Sequence, residues 1–372
     1  MRNCFVTFSM ILILGGLAGC PVSPRPLFSM EETGLDFVEP RGDSLNEMAW
    51  VAGGVEGVET EKGELGSMTP TVWIDGTLRS LAARNLIYGV AKGVNDDGFI
   101  VGQTLPSEAI LWFSGNNQPL SLNSSLQGFD GLDTYSINRF GLITGMVVLN
   151  QAALFDSFSP ESGLLLEPLA AGPSAAFDIN ERNEVVGSSA TDDTGDVMAA
   201  VRWIDGLVAQ LDSLGGDFSA AYAVNNQGTA AGVSTEPLAG RKGDDEGDDE
   251  EDVGPLSAVY WDGNGINALP GLGGENSVAW DINDKGQVVG FAQNENGERQ
   301  AMLWRPMAVF GLFESINLND VVNDQEAMDG LTLRDAVDIN EKGVILCRAE
   351  RVLDEEMSED VYVLLRPQVR RR

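Results

Sequence analysis

A ten-residue pattern built on Asn-x-x-Gly recurs along this chain and leaves few folds open to it. DINDKGQVVG at 281–290 returns as GVNDDGFIVG at 93–102, SINRFGLITG at 136–145, DINERNEVVG at 178–187, AVNNQGTAAG at 223–232 and DINEKGVILC at 338–347. A worn copy, SLNEMAWVAG, spans 44–53. The anchoring asparagines are Asn46, Asn95, Asn138, Asn180, Asn225, Asn283 and Asn340, spaced by 49, 43, 42, 45, 58 and 57 residues. A period of this length marks a solenoid, a propeller or another repeat array.

The local chemistry explains the pattern. Asparagine suits the first position of a type I turn, where its side chain bonds the backbone ahead. Glycine supplies the left-handed residue that completes a three-residue hairpin loop. Gly98, Gly141, Gly228, Gly286 and Gly343 hold that place, and Asn183 holds it in the fourth copy, asparagine being the next best residue at positive φ. Ala49 fits it badly, so a different turn is expected in the first copy.

Each turn joins an x-Ala-x-x-Ile-Asn run to an x-Val-Val-Gly run. A third apolar run follows, usually ending in Trp (TVWI at 71–74, AVRW at 200–203, AVYW at 258–261, AMLW at 301–304), and then a fourth ending in Leu. Asp75-Gly76, Asp205-Gly206 and Asp262-Gly263 read as a second hairpin turn. The runs are too short and too β-branched for helices. Four short antiparallel strands per unit, seven times over, predict an all-β, seven-bladed β-propeller in one domain over 34–367. An open β-solenoid or a pair of sandwiches is the alternative. The last unit lacks a clear fourth strand, and Leu35–Val38 is expected to supply it from the N-terminal side, closing the ring and hiding its edges.

Residues 1–19 read as an export signal: Arg2, an apolar run from Phe5 to Leu14, then small residues. Leu17-Ala18-Gly19-Cys20 resembles a bacterial lipoprotein signal, which implies cleavage before Cys20 and acylation of that residue. Residues 20–33 would then be a lipidated tether, with membrane contact through Cys20, and 368–372 a basic tail. Pro21 rather than Asp after the cysteine favours the outer membrane or cell surface. Cys347 is left without a disulfide partner once Cys4 leaves with the signal and Cys20 is acylated.

Composition narrows the chemistry. The absence of histidine removes His-based acid–base catalysis and His-ligated metals. A net charge of −34 disfavours nucleic acid as a partner, since phosphate would be repelled. The acidic run DDEGDDEED at 244–252 reads as a solvated loop rather than a calcium site, for it lacks the alternation of ligand and turn residues that wraps an ion. Thr191-Asp192-Asp193-Thr194-Gly195 loosely resembles the Asp-box of sialidase-type propellers and reads as a polar loop. Trp73, Trp112, Trp203, Trp261 and Trp304 share one repeat position, which favours packing between blades over a sugar platform. Tyr222 and Trp280 fall outside that pattern and are poorer core candidates.

SLGGDFSAAYAVNNQGTAAGVS at 213–234 and GLGGENSVAWDINDKGQVVGFA at 271–292, with AMLWRP at 301–306 and SINLNDVV at 315–322, resemble the HAF-repeat family of bacterial extracellular repeat proteins. Gln300 stands where that family has a characteristic His, and Cys347 where Gly is usual. The resemblance implies an exported repeat protein of propeller-like fold and no established catalytic residues. The expectation is therefore a non-enzymatic, lipid-anchored binding or scaffold module with a protein or glycan ligand, no cofactor and no metal. A carbohydrate-active hydrolase or lyase using Asp/Glu and a calcium-dependent adhesion protein are the alternatives.

Overall fold

In a computed structural model the chain is a ring of seven small antiparallel sheets, a seven-bladed β-propeller. The structure describes residues 28–368, apart from segments 41–42, 57–67, 82–88, 105–107, 114–115, 123–131, 148–149, 160–161, 238–253, 308–310, 323–327, 329 and 355–356. Cys20, the acidic run and the C-terminal arginines lie outside the described residues.

Blade 4 is representative. It runs β13 (Ser174–Ile179), β14 (Val185–Ala190), β15 (Met198–Ile204) and β16 (Leu207–Gln210), paired in that order outward from the axis. The two inner strands are buried throughout and consist of small and apolar residues apart from Phe177-Asp178 near the turn, whereas the outer one, Leu-Val-Ala-Gln, is mostly exposed. Blades 2, 3, 5 and 6 repeat this order.

The cores lie between neighbouring blades. Val289 and Leu303 of blade 6, for example, pack on Leu333, Ile345 and Val363 of blade 7. The five repeat tryptophans are fully buried there. The indole N–H of Trp203, Trp261 and Trp304 donates to the carbonyl of Glu167, Asp212 and Pro270, each at the exit of the preceding blade. An indole brings roughly 4–6 kcal/mol of gross burial, and its N–H fixes the angle between adjacent blades.

Blade 7 consists of β25 (Leu331–Ile339), β26 (Ile345–Val352), β27 (Ser358–Pro367) and, outermost, β1 (Phe28–Glu32) from the start of the fold. An N-terminal strand thus closes the ring, but it is Phe28–Glu32 rather than Leu35–Val38. The latter segment is taken by blade 1, where Phe37 bridges Gly54 and Leu45 bridges Val51 beside β2 (Val51–Glu56). These two bridges stand in for a continuous inner strand. The propeller therefore begins inside the stretch expected to be tether.

Two turn assignments also change. Ala49 adopts the same turn as the other copies, at φ 59°, with its N–H on the Asn46 carbonyl. Asp75-Gly76 and Asp205-Gly206 have positive φ at both residues, as two-residue hairpins require, but the third turn is centred on Gly263-Asn264, with positive φ at Gly265.

Candidate functional site

The inner strands converge on a channel, and the Asn-x-x-Gly turns crowd one end of it, called here the near face. Each repeat asparagine does two things. Its side-chain oxygen accepts the backbone N–H two and four residues on, holding its own turn: Gln227 and Thr229 for Asn225, Lys285 and Gln287 for Asn283. Its amide N–H donates to the carbonyl of the next blade's asparagine. The bonds run Asn46 to Asn95, Asn138, Asn180, Asn225, Asn283, Asn340 and back to Asn46, at 2.9–3.2 Å. These seven bonds form a closed circuit with one link per blade. Aspartate could hold the turn but not the link, since an ionised carboxylate only accepts.

A second circuit lies just outside. The residue after each asparagine offers its N–H to the side chain of its counterpart in the next blade: Glu47 to Asp96, Arg139 to Glu181, Glu181 to Asn226, Asn226 to Asp284, Asp284 to Glu341, and Glu341 to Glu47. It is interrupted where Arg139 has no acceptor to give Asp96.

Below the asparagines the inner strands carry a register shift in six blades, for instance between Ala176 and Asp178. Such a bulge re-aims the side chains beside it. Asp178, Asp281 and Asp338 each accept the N–H of a residue in the following blade, from Val224, Ile339 and Leu45 respectively. They converge with Asp43 on a cavity of about 170 Å³. Ser136 Oγ lies 2.8 Å from both Asp43 Oδ2 and Asp178 Oδ1. A hydroxyl has one proton to donate, so the other contact requires a proton on a carboxyl. Burial is the first cause that raises these acids, with mutual repulsion adding to it at Asp43, Asp281 and Asp338: Asp43 and Asp338 well above the ordinary range, Asp178 upward, and Asp281 to about 6. Glu47, Glu181 and Glu341 at the rim are raised by burial as well.

One residue deeper the bulge positions form an aromatic arc. Tyr135, Phe177, Tyr222 and Trp280 follow one another at ring separations of 5.4, 5.4 and 5.0 Å. Lys92 continues it over Tyr135, buried between Asp133 and Glu39. Tyr222 and Trp280 thus belong to this arc rather than to the layer of repeat tryptophans.

The turn residues expected from the sequence (Asn95, Gly98, Asn138, Gly141, Asn180, Asn183, Asn225, Gly228, Asn283, Gly286, Asn340, Gly343) all meet at the near face, with positive φ at each of the glycines and at Asn183. Asp192 instead closes a small loop of its own on the opposite face, accepting from Thr194 and Gly195, which hold its carboxyl low. Cys347 is buried and unbridged. Among the described residues no group of three or more His, Cys, Asp or Glu has the geometry to hold a metal ion. The carboxylate mouth is small against the roughly 300–1,000 Å³ of a typical small-molecule site. Three of its acids, Asp178, Asp281 and Asp338, are committed to backbone N–H groups of neighbouring blades, and Asp43 to the Ser136 hydroxyl.

No protein-family model and no curated protein matches the sequence. The fold is similar to solved propellers. For YCF48 bound to a D1 peptide the TM-score is 0.51 at 10% identity, covering 95% of this chain and 100% of that one. A chain of the mitotic checkpoint complex gives 0.51 at 11%, covering 97% and 99%, and U3-55K gives 0.51 at 9%, covering 82% and 91%. At these identities the likeness is one of fold.

Proposed function

We propose that this chain is a non-enzymatic binding or scaffold module, exported and held at the outer membrane or cell surface through acylated Cys20. One observation carries the binding reading. The polar groups that converge at the channel mouth are spent on tying blade to blade, so the ring is a rigid mount and recognition falls to its faces and loops. The lipoprotein-type signal and the HAF-like repeats support the location. Two of the similar propellers are named in complexes, one with a peptide and one as part of a protein assembly, which accords with a protein ligand here.

The test is metabolic labelling with an alkynyl fatty acid, followed by membrane fractionation and co-purification of envelope proteins. The wild type is expected to take up label, to sediment with outer membrane and to retain a protein partner, and Cys20→Ala to lose the label and the sedimentation. Release of sugars from an envelope glycan by the purified chain would replace this reading with the carbohydrate-active one.

A further inference from the structure

The two faces of the ring differ. Twelve large apolar side chains stand well exposed among the described residues; seven of these lie on near-face turns, including Met48, Phe140, Phe158 and Leu207, and three on the opposite face. Exposed and half-buried rings meet between blades 2 and 3. Phe158 is 67% exposed, and its ring meets Phe99, which meets Phe113, at 5.5 and 5.0 Å. The other edge of Phe158 covers Gly141, where a methyl group would lie 2.9 Å from the ring. Phe140, 49% exposed, is the next residue, and Arg139 stacks on it at 4.7 Å. A phenyl surface so open on an otherwise strongly charged chain marks an interaction site.

Charge beside the patch specifies the partner. Asp96 and Asp97, both exposed, stand on the turn that leads into Phe99, and Arg139 on the adjoining turn is paired with Glu181. Lys285 and Lys342, farther round the mouth, are engaged with the carbonyls of Glu341 and Glu47. We propose that the near face between blades 2 and 3 docks a segment of a partner protein that presents an aromatic or aliphatic side chain next to a lysine or arginine. The apolar side chain sits on Phe158 and Phe140, and the basic one faces Asp96 and Asp97. This rests on the binding-module reading and gives it a face and a ligand chemistry.

The test uses fluorescence anisotropy on the full chain carrying Cys20→Ser, with labelled short peptides as probes. One probe combines lysine with phenylalanine and leucine; one replaces the lysines with glutamate; one replaces the apolar residues with serine. The combined probe is expected to bind at least about tenfold more tightly than either other. Phe140→Ser with Phe158→Ser is expected to weaken it at least about tenfold, and Asp97→Asn to weaken it less; Leu353→Ser with Met357→Ser on the opposite face leaves it unchanged. Equal binding of the serine-substituted probe would reduce the effect to diffuse attraction by a charge of −34 and overturn the proposal. So would indifference to the phenylalanine substitutions, or absence of binding by every probe. Loss of binding in the Leu353/Met357 variant overturns the face assignment while leaving the binding-module reading intact. That reading stands or falls separately, on co-purification.

Discussion

The asparagine circuit makes a quantitative prediction, because the molecule contains its own control. Asn225→Ala removes two bonds that hold the turn, from Gln227 and Thr229, and the link to Asn283. At about 1 kcal/mol net for each of these three buried or half-buried bonds the loss comes to about 3 kcal/mol, the Asn283 carbonyl keeping the Gly286 N–H. Asn294 holds a turn of the same kind, accepting from Asn296 and Glu298 with Gly297 at φ 79°, but it lies on the opposite face and its amide reaches only the side chain of Glu298. Asn294→Ala therefore loses the turn bonds without the link, for about 1 kcal/mol, the usual cost of a lost local cap. Urea unfolding followed by the fluorescence of the buried tryptophans gives both values, and the expected difference is about 2 kcal/mol, about half of it from the link and half from the greater burial of the Asn225 turn bonds. Asn225→Asp, which keeps the acceptor and loses the donor, should fall between them. If the two alanine variants agree within about 1 kcal/mol, the circuit adds nothing beyond seven separate turns and the reasoning fails.

Ala49→Gly removes a left-handed strain of about 1–2 kcal/mol and adds some unfolded-state entropy, so a net gain of about 0.5–1 kcal/mol should appear as a higher urea midpoint. The channel acids hold protons more tightly folded than unfolded. Asp281 goes from about 3.9 unfolded to about 6 folded, so its contribution is complete below about pH 4 and disappears as pH rises through 6. Melting temperature should accordingly fall between pH 4 and 7.5, and Asp281→Asn, which mimics the protonated acid, should melt higher than wild type at pH 7.5 but not at pH 4; a parallel profile in the two proteins would exclude this origin. Deleting Phe28–Glu32 strips the outer partner from β27 together with the Arg366–Glu31 and Arg351–Glu32 ion pairs, and should cost about 3–6 kcal/mol in urea and yield aggregates on size exclusion.

Much of this architecture was legible in the residues. Strand count, turn position and the tryptophan layer follow from periodicity and from the backbone needs of asparagine and glycine. The second task of the asparagines did not, because its target is a carbonyl 42–58 residues away, or 294 at the closing link, and nothing local announces it. The residue after each asparagine is an acid or an amide in six of seven copies, a regularity open to inspection, yet each one alone reads as surface charge. Asp178, Asp281 and Asp338 recur in Asp-Ile-Asn, but only the bulge turns that triplet toward the channel. The identity of the closing strand is hidden for a related reason. Leu35–Val38 is the more strand-like segment and is consumed by blade 1, while Phe-Ser-Met-Glu-Glu carries weak local preference and is held by its partner. Cys347 replaces a glycine whose counterpart in blade 6, Gly290, would set a methyl group 2.0 Å from the Val278 carbonyl. Blade 7 accommodates it alongside a further register shift, between Leu333 and Asp335.

The strand that completes blade 7 is among the first parts of the fold to be synthesised, and its partner is among the last. Glu31 and Arg366 are 335 residues apart, so the first strand finds its partner only across nearly the whole length of the fold. Six blades can assemble without that pairing, since each pairs within itself and packs on its predecessor. The seventh cannot, and the unfinished barrel carries an open edge at each end of the same gap. Charges at Glu31 and Glu32 oppose premature pairing of the idle strand with another chain. Assembly of this molecule therefore has an obligatory last step that needs both ends of the fold at once, whatever the stability of any single blade.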